Sequence, residues 1–227
     1  MKYEDEKFLI YYDESDKKYI LKIIDIVNKK MTKILNFFNL KLKNKIIIKI
    51  YNDINKYNEN LKKSFIKEAE EESKIQNKKI EPRKIYNWMI ANTEDGNINM
   101  QSFNLVKKKD DYKDYTEEEY CYNVCHEFVH LCQQRLNSEN PGWFWEVLAT
   151  NLGNPECQHK IKESFTLKDL DNFDEIDGYG AVYLIGQYLF KDYNDAEILE
   201  MVNDNDKMLL AVTNIIQEIN KNKFKKL

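Results

Sequence analysis

Cys125 to His130 reads CHEFVH, and the reading of this stretch decides the reading of the chain. As a pattern it is H-E-x-x-H, carried by His126, Glu127 and His130. On a helix, residues i and i+4 share a face, so both imidazoles can bind one metal ion while the glutamate beside them takes a proton from a water. That arrangement builds a catalytic zinc site. The chain has 3 histidines in 227 residues, so two of them flanking a glutamate is not a by-product of a histidine-rich composition.

The flanking residues predict a helix over 116–136. Thr116 with Glu119 is a capping-box pattern, and Glu117, Glu118 and Glu119 put negative charge in the first turn, where the helix dipole favours it. At about 100° per residue, Cys121, Cys125, Phe128, Val129, Cys132 and Leu136 fall on one broad face. Asn123, His126, His130 and Gln133 fall on the opposite one. One side therefore reads as core and the other as a cleft, with Glu127 on the flank, near the metal without being a ligand. A structural Cys₂His₂ site using Cys121 and Cys125 is excluded, because the cysteine and histidine pairs point to opposite faces.

Catalytic zinc takes three protein ligands and leaves a position for water. The candidate third ligand is Glu146, sixteen residues after His130 in PGWFWEVLAT. The competing reading is a surface glutamate on an amphipathic helix, with His159 as the next candidate ligand. Later, DGYGAVYLIGQYLF at 177–190 sets Tyr179 between Gly178 and Gly180, which would let a backbone or substrate come close. Tyr179 reads either as a functional phenol or as a core residue, whereas Tyr183 reads as core.

These motifs resemble the gluzincin branch of the zincin metallopeptidases, which includes thermolysin and the aminopeptidase N family. There a glutamate on the next helix, often within W-L-x-E-G-L-A-like sequence, completes the site. Here WFWEVLA keeps the first tryptophan, the glutamate, the leucine and the alanine, and puts Val147 where glycine is common. Small peptidases of the clan carry a tyrosine nine residues before a Y-L pair, as Tyr179 stands before Tyr188 and Leu189. The resemblance implies a zinc peptidase acting on a peptide or protein, with His126, His130 and Glu146 on Zn²⁺, Glu127 as general base and Tyr179 on the oxyanion. It implies an endopeptidase, because no G-x-M-E-N run precedes the helix and Asn99, Met100 and Gln101 do not replace it. One departure stands out. Relatives often place an acidic residue four positions after the third ligand to orient a zinc histidine, and here that position is Thr150, whose hydroxyl accepts without charge assistance. A zincin-fold binding or regulatory protein that no longer cleaves peptides is the alternative. The resemblance covers 116 to about 190, and over 1–115 it rests only on element order.

The length suits one substantial core, as one domain or two closely packed lobes. With a net charge of −4, the lysine runs at 107–109 and 221–226 read as solvated ends, and nucleic-acid binding is not expected. The opening MKYEDEKFLIYYDESD is charged from its second residue and does not read as a signal peptide, and no window approaches a membrane span. Three of the 4 cysteines lie on the core face of the histidine helix, where buried free thiols are expected. A cytoplasmic protein with no membrane partner is the resulting expectation.

Patterning predicts a strand at Lys7 to Tyr12, a helix at Lys18 to Leu40, a strand at Lys45 to Tyr51 and a charged, exposed helix over 55–76. Tyr86 to Ala91 and Asn97 to Phe103, around TEDGN, read as a strand pair. Helices follow over 143–152, 175–193 and 195–220. Strands mixed with helices, then helices alone, make an α+β chain. The expected layout is a lobe over 1–136, with a small twisted sheet and ending in the H-E-x-x-H helix, and a mainly helical lobe over 137–227 that supplies the third ligand. The resemblance further implies an active site in the cleft between the lobes, and a strand within 86–104 that binds extended substrate by strand addition.

Overall fold

In the computed structural model, the residues described are 1–136, 140–153, 165–171 and 178–224. Five strands, β1 (Lys2–Glu4), β2 (Phe8–Tyr11), β3 (Ile46–Tyr51), β4 (Ala91–Glu94) and β5 (Asn97–Gln101), form one mixed sheet in the order β1-β2-β3-β5-β4. β2, β3 and β5 run parallel, and the outer two strands are antiparallel to their neighbours. Parallel neighbours need long crossovers. α1 (Lys17–Phe37) joins β2 to β3, and α2 (Ile54–Gln76) leads from β3 toward the β4–β5 hairpin. The register sets Phe8 beside Ile46, Ile10 and Ile98 beside Ile48, and Met100 beside Ile50, so one sheet face is a continuous apolar stripe. The chain is α+β, as its element order predicts.

The chain divides into two compact units, Met1–Asp25 with Lys43–Cys121, and Ile26–Leu42 with Tyr122–Leu227. In the first unit, α2 is charged outside but not fully exposed. Tyr57, Leu61 and Phe65 recur at helical spacing and form a buried cluster with Met89, against which Tyr51, Tyr86 and Trp88 pack. The β4–β5 turn is the Asp95-Gly96 pair, with φ of 45° and 77°, the two positive values that a two-residue primed turn demands. That turn corrects one expectation. A two-residue loop needs a strand ending at Glu94, so the first strand is 91–94, and Tyr86, Trp88 and Met89 instead supply cluster side chains. After β5 come α3 (Phe103–Val106) and α4 (Glu117–Gln133). The rings of Tyr19, Phe103 and Tyr120 pack 5.2–5.9 Å apart, and Tyr120 donates its hydroxyl to the Gln101 carbonyl at 3.0 Å. The start of α4 is thereby tied to the end of β5.

The second unit holds the rest of α4 with α5 (Gly142–Gly153), α6 (Leu167–Leu170), α7 (Tyr179–Asp192), α8 (Asp195–Asn203) and α9 (Asn205–Phe224). Trp143, Phe144, Val147 and Leu148 of α5 and Val182, Ile185 and Leu189 of α7 are buried. Where one helix was expected over 195–220 there are two. Asp204 adopts an extended conformation and its carboxylate accepts from the backbone N–H groups of Asp206 and Lys207, capping a new helix. Among the described residues no helix is long and apolar enough to cross a membrane.

Candidate metal centre

The helix that carries the histidines begins as its sequence requires. Glu119 N–H donates to Thr116 Oγ1 at 3.1 Å and Thr116 N–H donates to Glu119 Oε2 at 2.6 Å, a complete capping box. Cys121, Cys125, Phe128, Val129 and Cys132 are buried on one face, and Leu136, past the helix end, is half-buried. Burial pushes the Cys121 and Cys132 thiols up to about 12, the state of inert core cysteines. The opposite face presents His126 and His130.

α5 lies against this helix in the antiparallel sense, with Gly153 at His126 and the Trp145 carbonyl at Gln133. The approach at Gly153 is backbone to backbone. A Cβ there would stand 2.6 Å from both Cα and N of His126, closer than any real side-chain carbon, so only glycine fits. This close packing carries Glu146 to the histidines. His126 Nε2 lies 3.1 Å from His130 Nε2 and 3.1 Å from Glu146 Oε2, and His130 Nε2 lies 3.4 Å from Glu146 Oε1. The side chains of the three are 13 %, 12 % and 15 % exposed.

The two histidines approach different oxygens of Glu146, and one ligand atom from each residue lies within 4.8 Å of the others, close enough for the three to share one ion. Zinc bonds of about 2.0–2.1 Å in a tetrahedral shell place neighbouring ligand atoms about 3.3 Å apart. The buried Glu146 Oε2 makes no hydrogen bond despite its 3.1 Å approach to His126 Nε2, as expected of groups that face a common point rather than one another. Two imidazole nitrogens and a carboxylate that present lone pairs to one another repel unless a hydrogen or a cation lies between them. The proton's version of this demand is visible at His130: burial works to lower its pKa, but the Glu146 carboxylate, with smaller contributions from Glu127 and Gln133, overrides burial and raises it to about 9. Burial would raise Glu146, yet the two imidazoles hold it well below the usual carboxylate range. His126, His130 and Glu146 can therefore hold a metal ion, and among the described residues no other set of three such side chains does so.

Glu127 is 6 % exposed, beside the histidine face and close enough for its charge to act on His130. Tyr179 is half-buried at the first position of α7, and Tyr183, expected in the core, is only half-buried. His159 lies outside the described residues, as do Asp177 and the start expected for this helix at 175. Thr150, at the position where relatives carry an orienting acid, has a buried hydroxyl that makes no hydrogen bond. The partner of His130 Nδ1 is instead Gln133, whose Oε1 lies 2.9 Å away. The Trp145 ring also lies over His130, with centroids 6.2 Å apart and planes at 28°. Sequence reading put Gln133 on the histidine face without giving it a role, and passed over Gly153.

No protein-family model, no curated protein and no solved structure matches the chain. The gluzincin resemblance rests on the residues themselves.

Proposed function

We propose that this protein is a zinc-dependent peptidase of the gluzincin type, and an endopeptidase, with His126, His130 and Glu146 as the zinc ligands. The observation that carries this reading is the convergence of His126 Nε2, His130 Nε2 and the Glu146 carboxylate, with closest approaches of 3.1–3.4 Å and one ligand atom from each within 4.8 Å of the others, together with the buried Glu127 next to the first histidine in sequence. Zinc, when bound, supplies positive charge that polarises a scissile carbonyl and makes the attacking water more acidic. Glu127 takes the proton of that water and passes it to the leaving amine. Tyr179 donates its hydroxyl to the developing oxyanion. Among the described residues, two histidines and one carboxylate leave one position of a four-coordinate shell for water or a substrate oxygen.

The test is digestion of a peptide library by the zinc-loaded protein, beside Glu127→Gln. The amide is nearly isosteric but cannot accept the proton, so the variant should keep zinc and lose roughly a hundredfold to ten-thousandfold in rate. Equal turnover by the two proteins would end this mechanism. The second reading, a metal-holding protein that binds peptides without cutting them, is favoured by one observation, the unbonded Thr150 hydroxyl at the place where relatives carry an orienting acid. Zinc-loaded wild type that binds but never cleaves would select it.

A further inference from the structure

We propose that Gln133 is a positioning residue that locks His130 in the tautomer protonated on Nδ1, which leaves Nε2 as the atom that ligates the metal. The inference rests on the metal site proposed above and adds what selects the ligating nitrogen.

Gln133 is 2 % exposed, so water does not satisfy its ends and each must find a protein partner. Its Nε2 lies 3.2 Å from the Trp145 carbonyl, and its Oε1 lies 2.9 Å from His130 Nδ1. A carbonyl oxygen can only accept. The –NH₂ end must therefore face Trp145, because the flipped amide would set two acceptor oxygens against each other at that distance. With the amide so fixed, the atom facing His130 is an acceptor, and Nδ1 must carry a hydrogen. A neutral imidazole has one N–H, so Nε2 presents its lone pair, and Nε2 is the nitrogen 3.1 Å from His126 Nε2 and 3.4 Å from Glu146 Oε1.

The spacing is local but the lock is not. Gln133 follows His130 by three residues and so shares its helical face. The lock closes only because α5 brings the Trp145 carbonyl to it, and Trp145 is the residue before Glu146. One helix register thus sets both the third ligand and the tautomer of the second. An amide in this place does the work that a carboxylate or carbonyl does at many zinc histidines, and loss of such a partner costs about tenfold to a hundredfold in metal affinity.

The test uses the full chain. Long-range ¹H–¹⁵N spectra of the histidine rings in the zinc-loaded protein should show His130 with a slowly exchanging Nδ1–H and a coordinated Nε2. Chelator competition should show Gln133→Leu binding zinc about ten to a hundred times more weakly. Coordination of His130 through Nδ1 would overturn the proposal, as would Gln133→Leu binding zinc as tightly as wild type. The wild-type spectrum decides even if a variant does not fold. Should the wild type bind no zinc, the metal reading falls, and the same spectrum of metal-free protein at alkaline pH still decides the tautomer: Nδ1–H supports the lock and Nε2–H refutes it.

Discussion

His130 faces two claimants for one lone pair, a proton and a metal ion, and pH decides between them. In the metal-free protein its pKa stands at about 9 against an ordinary 6.5, so its contribution to stability is full below about 6.5 and is lost as pH rises through about 9. Glu146 is shifted the other way, and its contribution is present above its ordinary 4.5 and lost as pH falls below. The pair therefore stabilises the metal-free protein most between about 4.5 and 6.5. Zinc must displace the His130 proton, so its affinity should rise with pH up to about 9. Melting curves across this range should show the gap between zinc-loaded and metal-free protein widening toward alkaline pH, and a constant gap would show that His130 is not a ligand. Tyr179→Phe should keep zinc content and melting temperature but lower kcat by about a hundredfold to a thousandfold, the cost of one oxyanion donor. If kcat holds, the phenol is structural. His126, Glu127, His130 and Glu146 were legible because helical period and ligand chemistry depend on residue type and spacing alone. The role of Gln133 was not, because it depends on a backbone carbonyl delivered by another helix.

Among the elements, the contact between α4 and α5 does most to build the site, and Gly153 permits it. Gly153→Ala places a methyl 2.6 Å from the His126 backbone, which neither helix can yield without moving. Overpacking of this kind costs about 1–3 kcal/mol, and the displaced α5 should carry Glu146 off the histidines. Thermal melting and zinc competition on this variant should both worsen, and an unchanged zinc affinity would separate helix spacing from the metal site. The capping box of α4 was readable because Thr116 and Glu119 satisfy each other within one turn. β3 was readable from its run of β-branched residues, and the Asp95-Gly96 turn from its need for positive φ. Where the reading failed, tertiary pairing decided. β1 is three residues without an apolar alternation and exists through its ladder with β2. Tyr86, Trp88 and Met89 are apolar or aromatic like a strand's side chains but pack in the cluster with α2. The break at Asp204 lies in Asn203-Asp204-Asn205-Asp206, residues that favour caps over helix interiors, and the Asp204 carboxylate caps the new helix.

For the molecule as a whole, the order of strands and helices was enough to predict an α+β chain, because that order follows from local periodicity. The candidate metal ligands lie on one helix pair, α4 and α5, within the second unit. The account stands or falls on whether His126, His130 and Glu146 together hold zinc. Metal analysis of the purified protein and of His126→Ala, His130→Ala and Glu146→Ala is the direct measurement. One equivalent of zinc in the wild type, lost in each of the three variants, is the predicted result. A wild type without affinity for zinc, or Glu146→Ala retaining the full equivalent, would contradict it.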